Sequence, residues 1–248
     1  MTTRKFLIAG GNATALVRDC PTSLRASLAA DLLCDVEQVG FVDEQARPPR
    51  LEMMGGEFCI NATLAFASTL GPKGTVRVSG LDRPADFVNM PHATRATIPL
   101  RCSMSENIVL LEGIGFILTP KPDGHASSSP TDHARTKREL ADLCNRFDLP
   151  AFGAIHFSGN AITPYVYVAA VDSFVPETAC GSGSVAFSLF TGQDRVRQPT
   201  GQFITVRRRT RREREETGFD FFDVEARVEQ SELSPNASLP VALCQGSD

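Results

Sequence analysis

Lysine is scarce: Lys5, Lys73, Lys121 and Lys137 are the only four in 248 residues. None sits where a Schiff base would be expected, so pyridoxal phosphate chemistry has no anchor. Histidine is equally sparse, with four. A thiol hydrolase, which needs a base beside its cysteine, would have to rely on His156. The seven cysteines include no Cys-x-x-Cys pair, which points away from a disulfide framework and from a zinc site of ordinary spacing. No apolar run approaches the roughly 20 residues of a membrane span. The formal charge of -4 offers no general attraction to nucleic acid or anionic lipid. At the N-terminus, Phe6-Leu7-Ile8-Ala9 is a short strand-like run stopped by Gly10-Gly11 rather than a signal peptide, and a cytoplasmic protein is expected. Neither a dinucleotide fingerprint nor a P-loop occurs.

What the sequence does contain is a cysteine motif in two copies. Glu177-Thr178-Ala179-Cys180-Gly181-Ser182-Gly183-Ser184-Val185-Ala186-Phe187 places a cysteine where an apolar helix should begin. With Cys59 aligned on Cys180, Ala65 falls on Ala186, Phe66 on Phe187 and Gly71 on Gly192. A helix start carries unpaired N–H groups and partial positive charge, so it binds carboxylates and is expected to lower the pKa of a nearby thiol. Two such starts facing one another suit a carbon acid. One thiolate removes the proton α to a carboxylate, and the opposite thiol protonates the other face. The outcome is inversion of a stereocentre.

Between the motifs the pattern alternates short strands with glycine- and proline-rich turns. Helices are expected over Thr22 to Leu33 and Asp132 to Arg146, and strands at Thr75–Val78, Phe87–Asn89, Thr94–Ile98, Asn107–Leu111 and Gly115–Thr119. The run from Pro120 to Pro130 reads as a linker, giving a first lobe over 1–120 that carries Cys59 and a second over 121–248 that carries Cys180. The Arg207–Arg212 basic run is followed at once by Glu213, Glu215 and Glu216, and fits the charged tip of a β-hairpin better than a nucleic-acid site. Leu239–Leu243 is expected to form a closing strand. Two similar α+β lobes with a site in the cleft follow from this order.

The two motifs, together with Gly10-Gly11-Asn12 and Glu37-Gln38-Val39-Gly40, resemble the cofactor-independent diaminopimelate epimerase superfamily. They look most like its histidine racemase branch, known from opine metallophore pathways. The resemblance implies an α+β fold of two pseudo-symmetric lobes, each a curved, mostly antiparallel sheet around a central helix. It also implies a PLP-independent isomerase that needs no cofactor or metal, acts on a small amino acid and involves neither nucleic acid nor membrane. It leaves room for a homodimer. Cys59 and Cys180 would be catalytic. The amides around Ile60, Asn61, Gly181, Ser182 and Gly183 would hold the substrate carboxylate, and Asn12, Gln38 and Asn61 would place the substrate.

Asn12 taken alone is an ordinary turn residue, and the resemblance is what gives it a ligand. Glu57 and Glu177 precede the two helices, where capping is the default role. The alternative for both, and for Glu37, is recognition of a cationic substrate group. The sequence departs from the epimerases in two places: Ile60 stands where a glycine usually follows the first cysteine, and Val171–Pro176 replaces a Glu-Arg-Gly element. The missing arginine argues against a substrate with a distal carboxylate, and Ile60 is expected to narrow the pocket. Diaminopimelate or another amino acid remains the alternative substrate, and a non-catalytic amino acid binding module the alternative function.

Overall fold

A Gly10-Gly11-Asn12 turn, with Gly10 at φ +73° and Asn12 at φ +39°, folds β1 (Thr2–Ile8) back onto β2 (Gly11–Arg18). In the computed structural model, which describes residues 1–121, 130–209 and 216–233, this hairpin opens a pattern that the chain uses twice. After a 3-10 turn at Thr22–Leu24 and α1 (Arg25–Leu32), β3 (Gln38–Asp43) joins parallel to β2 and β4 (Arg50–Met53) antiparallel to β3. The Cys59 helix α2 (Ile60–Ser68) then crosses to β5 (Lys73–Val78), parallel to β4, and β6 (Ala85–Met90) and β7 (Ala93–Leu100) continue antiparallel.

The second pass follows β8 (Ser103–Ser105). It begins with the β9 (Ile108–Leu111) and β10 (Ile114–Pro120) hairpin, then α3 (Pro130–Phe147) and β11 (Ala151–Ser158), which lies parallel to β10. Antiparallel β12 (Ala161–Val168) carries an added strand, β13 (Ser173–Pro176). The Cys180 helix α4 (Gly181–Thr191) leads to β14 (Arg195–Arg197), parallel to β12, and then to antiparallel β15 (Phe203–Arg208) and β16 (Asp220–Ala226).

The lobes meet edge to edge where β7 pairs antiparallel with β16, from Thr94 opposite Ala226 to Leu100 opposite Asp220. The chain then continues symmetrically: β8 pairs with β9, and β17 (Val228–Ser231) returns to pair with β1. In strand pairing the repeat restarts at β9: β9 pairs with β10 and β10 with β11, while β17 pairs back to β1. The run at 122–129, the hairpin tip at 210–215, the Leu239–Leu243 strand and Cys244 lie outside the described residues. At the base of that hairpin, Arg208 pairs with Asp220 and Arg209 with Asp223.

Helix position follows from residue pattern. Leu28, Ala29 and Leu32 give α1 one apolar side, which packs on Ala15, Val17, Val39 and Phe41. Leu140 and Cys144 of α3 pack on Phe152, Ala154, Tyr165 and Tyr167 in the equivalent place. By contrast α2 is buried from Ile60 to Ala67 and α4 from Gly181 to Phe187, as expected of helices apolar on every side. They lie in one continuous core that contains both Phe66 and Phe187. Burying each of these rings contributes about 1.5–3 kcal/mol. No helix among the described residues is long and apolar enough to cross a membrane.

Candidate active site

Each thiol caps its own helix. Cys59 and Cys180 both have extended backbone, and their sulfurs accept hydrogen bonds from the N–H groups of Ala62 at 3.3 Å and Gly183 at 3.2 Å. Their carbonyls accept from the hydroxyls of Thr63 at 2.7 Å and Ser184 at 2.6 Å. Serine, threonine, aspartate or asparagine usually does this work. Here a cysteine does, so a reactive group stands at the positive end of each helix. Capping was the default expectation for Glu57 and Glu177, but the thiols fill the caps; Glu57 Oε2 instead accepts from the Gly55 N–H at 2.9 Å and Glu177 Oε1 from Asn12 Nδ2 at 3.2 Å, and both residues line the pocket.

The two helix starts lock into one another reciprocally. The Ile60 N–H donates to Ser182 Oγ at 3.4 Å, and the Gly181 N–H donates to Asn61 Oδ1 at 3.0 Å. Asn61 Nδ2 adds a bond to the Ala179 carbonyl at 2.9 Å. Close approach requires glycine at 181, because a Cβ there would lie 2.7 Å from Ile60 Cγ2 and 2.9 Å from Asn61 Oδ1. Gly181→Ala is therefore expected to push the helix ends apart and cost about 1–3 kcal/mol, measured by urea unfolding, with loss of ligand binding.

This interlock also revises the expected carboxylate cradle. The amides of Ile60, Gly181 and Gly183 are already occupied, the last by the Cys180 sulfur. The Asn61 N–H in turn bonds the Cys59 sulfur, so the first-turn donors of α2 are shared rather than empty. Ile60 does not narrow the pocket either. It is fully buried, with its branched side chain against Gly181, and neither it nor Gly183 is in the pocket wall.

That wall is built from both lobes: Cys59, Asn61, Gln38 and Glu57 from the first, and Cys180, Gly181, Ser182 and Glu177 from the second, with Glu37 beside Gln38. Its remaining surface is Met54, Phe58, Ile114, Val166, Val168, Ser173 and Val175, and among the described residues no lysine, arginine or histidine lines it. Three glutamates thus share a cleft whose described lining carries no cationic side chain. Burial pushes the Glu57 carboxyl up to about 7, against the backbone N–H groups of Glu57 and Gly55. It pushes Glu177 up to about 8, with the charge of Glu37 adding to the effect. Glu37 is raised by burial, against hydrogen bonds from Thr178.

The thiols reverse the expectation drawn from helix starts. Both are held well above the ordinary cysteine value, Cys59 by burial and then the charge of Glu177, and Cys180 by burial, the charge of Glu177 and its hydrogen bond to that carboxyl. The capping amides pull the other way, but desolvation and negative charge outweigh them.

Asn12 stands one hydrogen bond behind the wall. Its Nδ2 reaches Glu177 Oε1 at 3.2 Å and Glu37 Oε2 at 3.4 Å, while its Oδ1 accepts from Thr14 Oγ1 at 3.1 Å and from Gln38 Nε2. Gln38 Oε1 accepts from the Cys59 thiol at 2.7 Å. Asn12 is thus a support for Gln38 and the glutamates rather than a lining residue. Thr178 completes that support, accepting from the Asn12 N–H at 2.5 Å and donating to Glu37. Behind α4, Gln198 accepts from the Cys180 N–H at 2.8 Å and donates to Ser184 Oγ at 3.0 Å. Nothing in the sequence marked Gln198, which lies beyond α4 and reaches back to its start. Two buried atoms on lining residues, Glu177 Oε2 and Ser173 Oγ, have no hydrogen-bond partner. Ser173 lies in the segment that replaces the epimerases' Glu-Arg-Gly element.

Solved structures with the same arrangement of strands and helices decide the fold. A probable proline racemase from Agrobacterium radiobacter K84 superposes with TM-score 0.55 at 10% identity, covering 95% of this chain and 94% of its own. A hydroxyproline epimerase from Agrobacterium vitis gives 0.56 at 11%, covering 93% and 90%. A putative phenazine biosynthesis PhzC/PhzF protein from Clostridium difficile gives 0.53 at 11%, covering 94% and 98%. The fold is diaminopimelate epimerase-like. In sequence, the expected likeness to histidine racemases is found: proteins of that name from two strains of Fusobacterium nucleatum subsp. nucleatum are each 28% identical to this chain over alignments of 184 and 175 residues. Those alignments cover 62% of this chain and 65% and 64% of the relatives, so the match spans just under two thirds of their length. No protein-family model matches the chain.

Proposed function

We propose that this protein is a cofactor-independent amino acid racemase with histidine as substrate, its two thiols acting from opposite faces of Cα. One observation carries the proposal: Cys59 and Cys180 enter a single pocket from the starts of two interlocked helices. The substrate carboxylate would approach the helix starts at Ser182 and at Asn61, whose N–H it would share with the Cys59 sulfur, where the helix dipoles favour negative charge. One thiolate takes the α-proton as the other thiol supplies a proton to the opposite face. The N–H groups hold the charge that builds on the carboxylate.

The acidic wall explains how a thiolate would arise in so unfavourable a place. In the empty pocket, burial and Glu177 keep both thiols protonated. An amino acid brings an ammonium, and a protonated imidazole brings a second positive charge, which lowers the pKa of every acid around it. The base is then formed when a cationic substrate is present. Glu37, Glu57 and Glu177 thereby favour a basic side chain, and with no cation among the described lining residues, a distal carboxylate of the diaminopimelate kind finds no partner there. The similarity to histidine racemases supports the same choice. Supply of D-histidine to metallophore synthesis is the role that would follow.

The test is α-proton exchange in deuterated water. With reduced protein, L-histidine is expected to gain deuterium at Cα and lose chirality faster than diaminopimelate, proline or neutral amino acids. Absence of exchange across a broad panel, with binding retained, would instead favour a non-catalytic amino acid binding module.

A further inference from the structure

The second lobe departs from the repeat in one element of its pocket wall. In the first lobe β4 runs directly through Met54-Gly55-Gly56 to Glu57, and among the described strands it pairs with β3 and β5 alone. In the second lobe residues 169–176 separate the end of β12 from Glu177. They add β13 to the sheet, with Val168 opposite Ser173 and Val166 opposite Val175. The Glu177 N–H donates to the Pro164 carbonyl at 3.0 Å and carries the same ladder one residue further. Side chains alternate along a strand. Phe174 therefore turns away with Tyr167, toward Leu140 and Cys144 of α3, while Ser173, Val175 and Glu177 all face the pocket.

That face is apolar between two unsatisfied ends. Val166, Val168 and Val175 form its middle. Ser173 Oγ at one end and Glu177 Oε2 at the other are buried without a hydrogen-bond partner among the described residues. Buried polar atoms are destabilising when left unpaired, and two of them on one wall of a cleft mark where a ligand's own polar groups go. Four residues of strand set their Cα atoms about 13 Å apart, more than a side chain as short as that of alanine can bridge. Glu57 flanks the Ser173 end. A Cβ on Gly55 would lie 2.4 Å from Val168 Cγ1 and 2.9 Å from Glu57 Oε2, which puts that carboxyl beside the residue paired with Ser173.

The two faces of Cα need the same chemistry, and a repeated helix start supplies it. A side chain is not repeated, so its recognition belongs to the element that breaks the repeat. We propose that Ser173 is a specificity-determining residue: its hydroxyl hydrogen-bonds a ring nitrogen of a bound imidazole, whose faces lie against the valines, while the substrate ammonium meets Glu177 Oε2. The proposal rests on the reading of this pocket as a histidine site and names the residue that reads the side chain. A hydroxyl both donates and accepts, so it serves the neutral and the protonated ring alike. A ring of the same shape without nitrogen leaves that hydroxyl unpaired and is bound less well.

The experiment pairs Ser173→Ala with two ligands, L-histidine and β-(2-thienyl)-L-alanine, whose ring carries no nitrogen. Deuterium exchange at Cα gives kcat and KM for histidine, and competition against it gives the affinity of the thienyl analogue. Thermal midpoints with and without each ligand report binding independently of turnover. The variant is expected to raise the KM of histidine about tenfold with kcat within about twofold, the pattern of a contact made equally before and during proton transfer. The thienyl analogue should bind as well as before or better. The midpoint of the unliganded variant should rise by about 2–4 °C, because an unpartnered hydroxyl is gone, and the further rise that histidine produces should shrink. An equal change in affinity for both ligands, an unchanged affinity for histidine, or no histidine-dependent shift in the unaltered protein would overturn the assignment. If neither protein exchanges the α-proton but the histidine-dependent shift is selectively lost in the variant, the side-chain subsite stands and the racemase proposal alone fails.

Discussion

Cys59→Ser and Cys180→Ser are each expected to slow racemisation of histidine by about 10²–10⁴-fold, the contribution of a positioned acid or base. Serine is a preferred helix cap. The replacement should therefore preserve the bonds that the sulfurs now accept from Ala62 and Gly183, and stability should change by less than about 1 kcal/mol. Folding and helix docking thus survive while a thiol is lost. The two variants should also differ from one another. Each retains one thiol on one face of Cα, so each should exchange the α-proton of a single enantiomer without inverting it, and the enantiomers should be opposite in the two cases. Proton NMR in deuterated water with chiral chromatography checks both points. If either variant racemises at the unaltered rate, or if both exchange the same enantiomer, the two-face mechanism fails.

The part of this site that was legible in the sequence is the part repeated within it. Cys59 with Cys180, and Phe66 with Phe187, occupy equivalent places in the two helices because the same local problem, a buried helix start capped by a thiol, was solved twice. Strand positions such as β6, β7 and β9 were also readable, since alternation and turn residues are local signals. Which strands pair is not a local property. The proline- and serine-rich run near 120–130 reads as a linker; in chain order it connects β10 to α3, as residues 19–21 connect β2 to the helical segment before β3. The joint between lobes is instead made by β7 and β16, more than a hundred residues apart. The same distance hid the state of the thiols. A helix start argues for a depressed pKa, but Glu37, Glu57 and Glu177 come from three separate stretches, and only the fold gathers them around the sulfurs. Ile60 was misjudged for a related reason: its partner, Gly181, belongs to the other lobe.

Glu177→Gln is expected to change both stability and substrate binding, with opposite signs. In the empty protein Glu177 is held near 8, above the ordinary carboxyl value of 4.5. A raised folded-state pKa means that the native state binds the proton more tightly than the unfolded chain does. The resulting contribution is complete below about pH 4.5 and is lost as pH rises through about 8. Glu57, near 7, acts in the same direction. The unliganded protein should therefore lose thermal stability between pH 6 and pH 9, and Glu177→Gln, which has no charge to bury, should flatten that decline. Binding should move the other way. A cationic substrate favours the ionised carboxyl, so its uptake releases a proton from Glu177, but the imidazole of histidine must take one up above its own pKa of about 6.5. The KM of histidine should therefore stay nearly flat from pH 6.5 toward 8 and rise beyond it. Removing a charged hydrogen-bond partner costs about 1.5–3 kcal/mol, so the variant should raise KM by roughly tenfold to a hundredfold and show a KM that climbs with pH from about 6.5. Thermal midpoints across pH, with initial rates at matched pH, separate the two effects. A variant that binds histidine as well as the unaltered protein does would show that Glu177 Oε2, buried on the pocket wall without a partner, does not meet the substrate cation.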